Sequence, residues 1–206
     1  HHNHGGGIQI NADGTLPGDG ISTDPEIYGN LLYENALNSG GGAAINLDGV
    51  QGAFIYNNLL YENHATGIAL FQIDGDAPSI GATIVFNTIM NASNARQCDL
   101  FADGATGGQV YNNIIINQHP TRGSIAVDAN AFTGFDSDYN IVIIRLSDDG
   151  GDTWISLAQW RDLGYDLNSM LADPLNEIFV NENGGDYHLV SDAQAINAGS
   201  NAFTFG

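Results

Sequence analysis

The sequence predicts an all-β chain wound as a parallel β-helix. Three observations predict it: a repeat of about 27 residues anchored on Asn, three short apolar segments in each repeat, and a composition that supplies corners rather than helices. The repeat is read from Tyr28-Gly29-Asn30, Tyr56-Asn57-Asn58, Phe86-Asn87, Tyr111-Asn112-Asn113 and Tyr139-Asn140, where an aromatic residue stands just ahead of Asn each time. Positions 30, 58, 87, 113 and 140 differ by 28, 29, 26 and 27. Of the 206 residues, 27 are Gly and 23 are Asn, about a quarter of the chain.

Each element follows from this period. After each Asn comes an apolar run, such as Leu31-Leu32-Tyr33, Leu59-Leu60-Tyr61, Thr88-Ile89-Met90 and Ile114-Ile115-Ile116, and then a second Asn at 35, 63, 91 and 117. A second strand is expected over Ala43 to Leu47, Gly67 to Ile73, Cys98 to Ala102 and Ser124 to Asp128. A third fits Ala53 to Tyr56, Ala82 to Phe86 and Gln109 to Tyr111. A pattern that repeats by translation excludes a hairpin meander and requires coils stacked in parallel. Asn at the same corner of successive coils can stack its amides in a ladder while tolerating the left-handed backbone of the corner.

The period breaks after Asn140. Thr153 to Leu163 reads as a short amphipathic helix with Thr153 as cap, followed by an irregular final coil. One domain is therefore expected, with coils over 1–145 and a helix-containing insertion and cap over 146–206. At the other end, His2-Asn3-His4 aligns with Glu62-Asn63-His64, so the chain starts midway through a coil. The expectation is that this end stacks on further β-helix, in the same polypeptide or another.

The Asn-ended coils resemble secreted right-handed parallel β-helix proteins of the pectate-lyase-like superfamily. So do the tail segments Asp173-Pro174-Leu175, Asp186-Tyr187-His188-Leu189 and Ala195-Ile196-Asn197-Ala198-Gly199. The resemblance covers nearly the whole chain. It implies a right-handed parallel β-helix in an extracellular protein, secreted or at a cell surface. For function it implies lyases, epimerases or hydrolases of acidic polysaccharides, or noncatalytic adhesins and rods.

Composition narrows the partners. With 24 acidic residues against four Arg and no Lys, the formal charge is −20, which disfavours nucleic acid backbones and anionic membrane surfaces. The sequence contains no apolar run long enough for membrane insertion, and its one cysteine, Cys98, has no partner for an internal disulfide. An acid-rich surface does favour oxygen ligation of calcium, the one cofactor expected.

Candidate site residues follow from strand alternation. If Cys98 and Leu100 face inward, Asp99 faces outward, and if Ile125 and Val127 face inward, Asp128 does so one coil later. The two carboxylates then lie ~8 Å apart, suited to an acid and base pair or to a shared cation with Asp74. Arg96 and Arg122 fall just before these strands, with His119 three residues ahead of Arg122. Pectate lyases of the resembled superfamily use an Arg base beside calcium held by Asp. By that likeness Arg96 or Arg122 is the candidate base, and His119 the donor to the leaving oxygen. Ion pairing with neighbouring acids is the plainer use of both arginines.

Asn46 and Gln72 are outward candidates for substrate contact, and Tyr33 and Tyr61 stack as a sugar platform or as plain packing. Asp recurs before Gly at 13, 48, 74 and 103, either as a calcium-binding column or as ordinary turn chemistry. His1, His2, His4 and His64 are a metal cluster or surface residues of a tag. The expected function is an acidic-polysaccharide lyase or epimerase working with calcium. The alternative is a noncatalytic structural, adhesive or glycan-binding rod.

Overall fold

The structure, a computed structural model, describes residues 1–37, 42–201 and 203, and it is a parallel β-solenoid. Three sheets run its length. Sheet A stacks Ile8–Asn11, Ala43–Asp48, Thr66–Phe71, Asp99–Phe101 and Ile125–Val127 in that order. Sheet B stacks Glu26–Tyr28, Phe54–Tyr56, Thr83–Val85, Gln109–Tyr111 and Asp136–Asp138. Sheet C stacks Leu31–Tyr33, Leu59–Tyr61, Thr88–Asn91, Ile114–Asn117, Ile141–Val142 and Met170–Leu171. Every pairing within them is parallel, and equivalent residues of the repeat face one another, as in Leu32 on Leu60 and Ile89 on Ile115. The core is the inward column of each sheet, including Ile45, Ile68 and Ile125 in A, Ile55, Ile84 and Val110 in B, and Leu60, Ile89 and Val142 in C.

The Asn ladder between sheets B and C sets the register. The side-chain oxygen of Asn58 accepts both the backbone N–H of Asn30 at 3.0 Å and its amide at 2.9 Å. The same pair of bonds repeats from Asn58 to Asn87, Asn87 to Asn113 and Asn113 to Asn140. The residues ahead, Asn57, Phe86, Asn112 and Tyr139, all take positive φ between 53° and 57°. Each rung donates forward, so the last needs only acceptors. Ser169 Oγ takes the Asn140 N–H at 2.7 Å, and Asp166 takes its amide at 3.0 Å. The buried Asp166 carboxylate also accepts from the Ser137 and Ser169 hydroxyls and from Trp160 Nε1. Burial raises its pKa while these donors oppose the rise.

This corrects the expectation that the period breaks after Asn140. Met170–Leu171 pairs in parallel with Ile141–Val142, a further rung of sheet C. The step from 140 to Ser169 is 29, but Ser169 with Asp166 replaces the Asn that marks earlier rungs. The helix also starts later than expected, at Leu157–Asp162, because Ser156 and Gln159 form a capping box. Thr153 instead binds the carboxylate of Asp149.

A second Asn column, Asn3 to Asn35 to Asn63, supports the alignment of the first coil with the third. It ends at Asn63, whose amide donates to the Leu32 carbonyl, while the Asn91 amide turns to the carbonyls of Ala65 and Gln97. The tail covers the outer face of sheet C, where Ile178 and Phe179 bury Met90 and Ile116. Among the described residues no helix is long and apolar enough to cross a membrane.

Candidate functional site

The outer face of sheet A carries a groove. Register places Gln9, Asn46, Ala69, Leu100 and Ala126 in one outward column, between inward residues such as Ile45 and Leu47 or Ile68 and Leu70. Two adjoining depressions lie over this floor and share Gly42, Asn46, Phe71 and Ile73 in their walls. The rim after the strands carries Asp74 and Asp103, with Ile73 the most exposed of its apolar residues. Arg96 stands on the rim before the strands. Leu100, Phe71 and Ile73 give the groove apolar surface among its polar groups.

The rim before the strands gathers the positive charge. The pairing of Asp99 with Ile125 puts Arg96 and Arg122 at equivalent places on adjacent rungs, as the sequence predicted. Arg145 follows on the next rung, where residues 145–147 extend sheet A by pairing Ser147 in parallel with Ala126. The Arg145 guanidinium donates to the carbonyls of Arg122 at 2.7 Å and His119 at 2.8 Å, which fixes this corner. Three of the chain's four Arg therefore follow one edge. Arg145 did not stand out in the sequence, because its step of 23 residues from Arg122 falls short of the 26–29 that separate the Asn corners.

His119 sits at the same corner. Its Nδ1 accepts the Thr121 N–H at 3.1 Å, which leaves Nε2 to carry the proton of the neutral ring. Burial first, then the charges of Arg122 and Arg145, hold the imidazole below its ordinary pKa, so it is neutral at pH 7. Arg122 Nη1 donates to the Gly151 carbonyl at 3.3 Å.

Asp99 is where the structure departs most from expectation. It pairs with Ile68 and Ile125 in the inward column and is 0% exposed. Cys98 faces inward too, because it belongs to the corner column Gly7, Ala44, Gly67 and Ser124, and its thiol reaches the Ile116 carbonyl at 3.3 Å. Alternation therefore starts one residue later than assumed. Neither Asp99 carboxyl oxygen has a hydrogen-bond partner, and burial pushes its pKa well above the carboxylate range.

Asp99 thus cannot share an exterior cation with Asp74 and Asp128. Asp74 is exposed on the groove rim, and Asp128 sits in the turn after its strand, where Oδ2 accepts the Asp103 N–H at 3.2 Å. Among the described residues no three His, Cys, Asp or Glu side chains converge to hold a cation. Two of the Asp-Gly corners, at Asp13 and Asp48, satisfy backbone donors. Buried Asp48 accepts the backbone N–H groups of Ile73 and Asp74, each at 2.8 Å, and Asp13 accepts that of Thr15.

Of the substrate-contact candidates, Asn46 is on the groove floor. Gln72 is not: it lies past the end of its strand and ties its amide to the Gly75 carbonyl at 3.0 Å. Tyr33 and Tyr61 stack in parallel at 4.9 Å on sheet C, away from the groove. His1 covers the stack at Tyr33, and Tyr187 meets Tyr61 at 4.7 Å, so the pair packs the tail rather than presenting open rings. His1 and His2 touch, ring to ring at 4.5 Å, but His64 stands apart and binds Asn94, His2 also contacts Glu34, and His188 pairs with Asp186 in the tail.

No family model, no curated protein and no solved structure matches this chain.

Proposed function

We propose that the chain binds an extended acidic polysaccharide along the outer face of sheet A, as an extracellular β-helix of the pectate-lyase-like kind. The single observation that carries this is Arg96 on the rim of the groove with Arg122 at the equivalent place one rung on, in a chain of net charge −20. On a surface that is otherwise strongly acidic, Arg96 brings positive charge to the edge of a floor made of Asn46, Ala69 and Leu100. Uronate carboxylates facing the guanidinium groups, with sugar faces on Leu100 and Phe71, match that layout.

Calorimetric titration with polygalacturonate, alginate and a neutral glucan tests it, with calcium and then with chelator. Binding of the acidic polymers alone, weakened by salt and by Arg96→Ala, is the expected result. Equal binding of the neutral glucan, or none at all, refutes it. A gain on calcium that chelator reverses would assign Asp74 and Asp103 a bridging role across the opposite rim.

His119 favours a second reading, β-elimination on the bound uronate. Arg96 or Arg122 would take the C5 proton, and the Nε2–H of the neutral imidazole would hydrogen-bond the leaving oxygen as the C4–O bond breaks, with solvent supplying its proton. Ultraviolet absorbance of the unsaturated product decides between turnover and binding alone.

A further inference from the structure

We infer that the groove is closed at one end and receives the terminus of a polysaccharide chain rather than an internal stretch. The inference rests on the acidic-glycan reading of the groove and adds which part of the polymer enters it. The floor column runs Gln9, Asn46, Ala69, Leu100 and then Ala126. The first four belong to open rungs, spanning about 14 Å at the usual strand spacing. Ala126 is 0% exposed, although its register points it outward like Leu100.

What covers this rung is the loop 148–154. After Ser147, the chain turns over the end of sheet A and returns antiparallel, with Ile155 paired to Leu146. The loop is held at both sides of the Ile125–Val127 strand. At one side Gly150 packs against the Asp128 carboxylate so closely that a Cβ has no room. At the other, the Trp154 ring lies on Gly123 and against Gly151, and Arg122 Nη1 holds the Gly151 carbonyl at 3.3 Å. Within the loop, Ser147 Oγ accepts the Gly151 N–H at 2.7 Å, and Asp149 accepts the N–H and hydroxyl of Thr153.

A loop fastened this way is a wall. A chain lying along the column from Gln9 to Leu100 meets it at the next rung, beside Arg122 and the half-buried Trp154. The last sugar then has a carboxylate-binding Arg and an aromatic ring at its end, while the rest of the polymer leaves over the Ile8–Asn11 strand.

The test is stoichiometry, measured by calorimetry on the unaltered protein with size-fractionated oligogalacturonates and oligoguluronates. The expected result is one protein bound per glycan chain at every length, with affinity per chain level once the open rungs are filled. A number of bound proteins that rises with glycan length overturns the end-binding inference and leaves the acidic-glycan reading standing. No binding of any member of either series overturns both. Immobilising the same oligomers through their reducing ends identifies which terminus enters, because capture is then lost for one orientation only.

Discussion

Asp99→Asn should stabilise the protein above pH 5, and the gain should grow with pH. The carboxyl stands in a column of Ile45, Ile68 and Ile125, has no exposed surface and finds no donor for either oxygen. Folded Asp99 therefore keeps its proton at pH values where the unfolded chain, with an ordinary Asp pKa of about 3.9, has lost it. Because the folded state binds more protons, stability falls as pH rises from the unfolded pKa, by about 1.4 kcal/mol per unit until the folded pKa is reached.

Asn has nearly the same shape and no charge, and near pH 4 both side chains are neutral buried groups with comparable unmet hydrogen bonds. The two proteins should then be almost equally stable. Above pH 5 the variant should gain on the wild type by up to about 1.4 kcal/mol per pH unit until the folded pKa is reached, a sizeable share of the 5–15 kcal/mol that holds a typical domain. With a urea dependence of about 2 kcal/mol per molar, the midpoints should separate by up to about 0.7 M per pH unit over that range. Urea titrations followed by circular dichroism at each pH read this directly. Midpoints that stay parallel across the range would refute the argument, because they would mean that ionised Asp99 is accommodated in the folded core at no cost.

Two further outcomes follow from the same hydrogen-bond geometry. Asn87→Ala removes the middle of the ladder, leaving the Asn58 N–H without its acceptor and taking one donor from the Ile55 carbonyl, and should cost about 2–4 kcal/mol in urea unfolding; a loss below 1 kcal/mol would show that the strands hold register without it. In the wall loop, burial works to raise the pKa of Asp149, but the Thr153 and Ser147 donors outweigh it and bring it to about 2. This folded pKa is depressed, so the loop's stabilisation is present above the unfolded value of about 3.9 and is lost as pH falls toward 2. The Thr153 amide shift in NMR should accordingly titrate with a midpoint near 2, and a midpoint near 4 would show that these bonds do not persist in solution.

The solenoid was legible because translation symmetry is a property of the sequence itself. Steps of 26 to 29 residues between Asn corners admit parallel stacking and exclude hairpins, and the same Asn residues then fix the register through bonds that run from each rung to the next. The convergence of Arg96 and Arg122 was legible for the same reason, since equal positions in a period become neighbours. Arg145 was not readable in that way, since the rung that carries it is shorter than the period.

Tertiary structure alone decided what period and alternation leave open. A strand of three residues offers two faces with equal claim, and the choice for Asp99 depended on Cys98 filling a corner column of small residues, which alternation does not encode. Gln72 left the floor because its strand ended at Phe71. Tyr33 and Tyr61 stacked as the repeat required, yet whether their outer rings met a sugar or the tail depended on where residues 175–189 docked. The wall of 148–154 arose from contacts between segments more than 20 residues apart, Gly150 on Asp128 and Trp154 on Gly123. Sequence determines the repeating coil because local spacing sets it; faces, covers and closures are set by which distant segment packs against that coil.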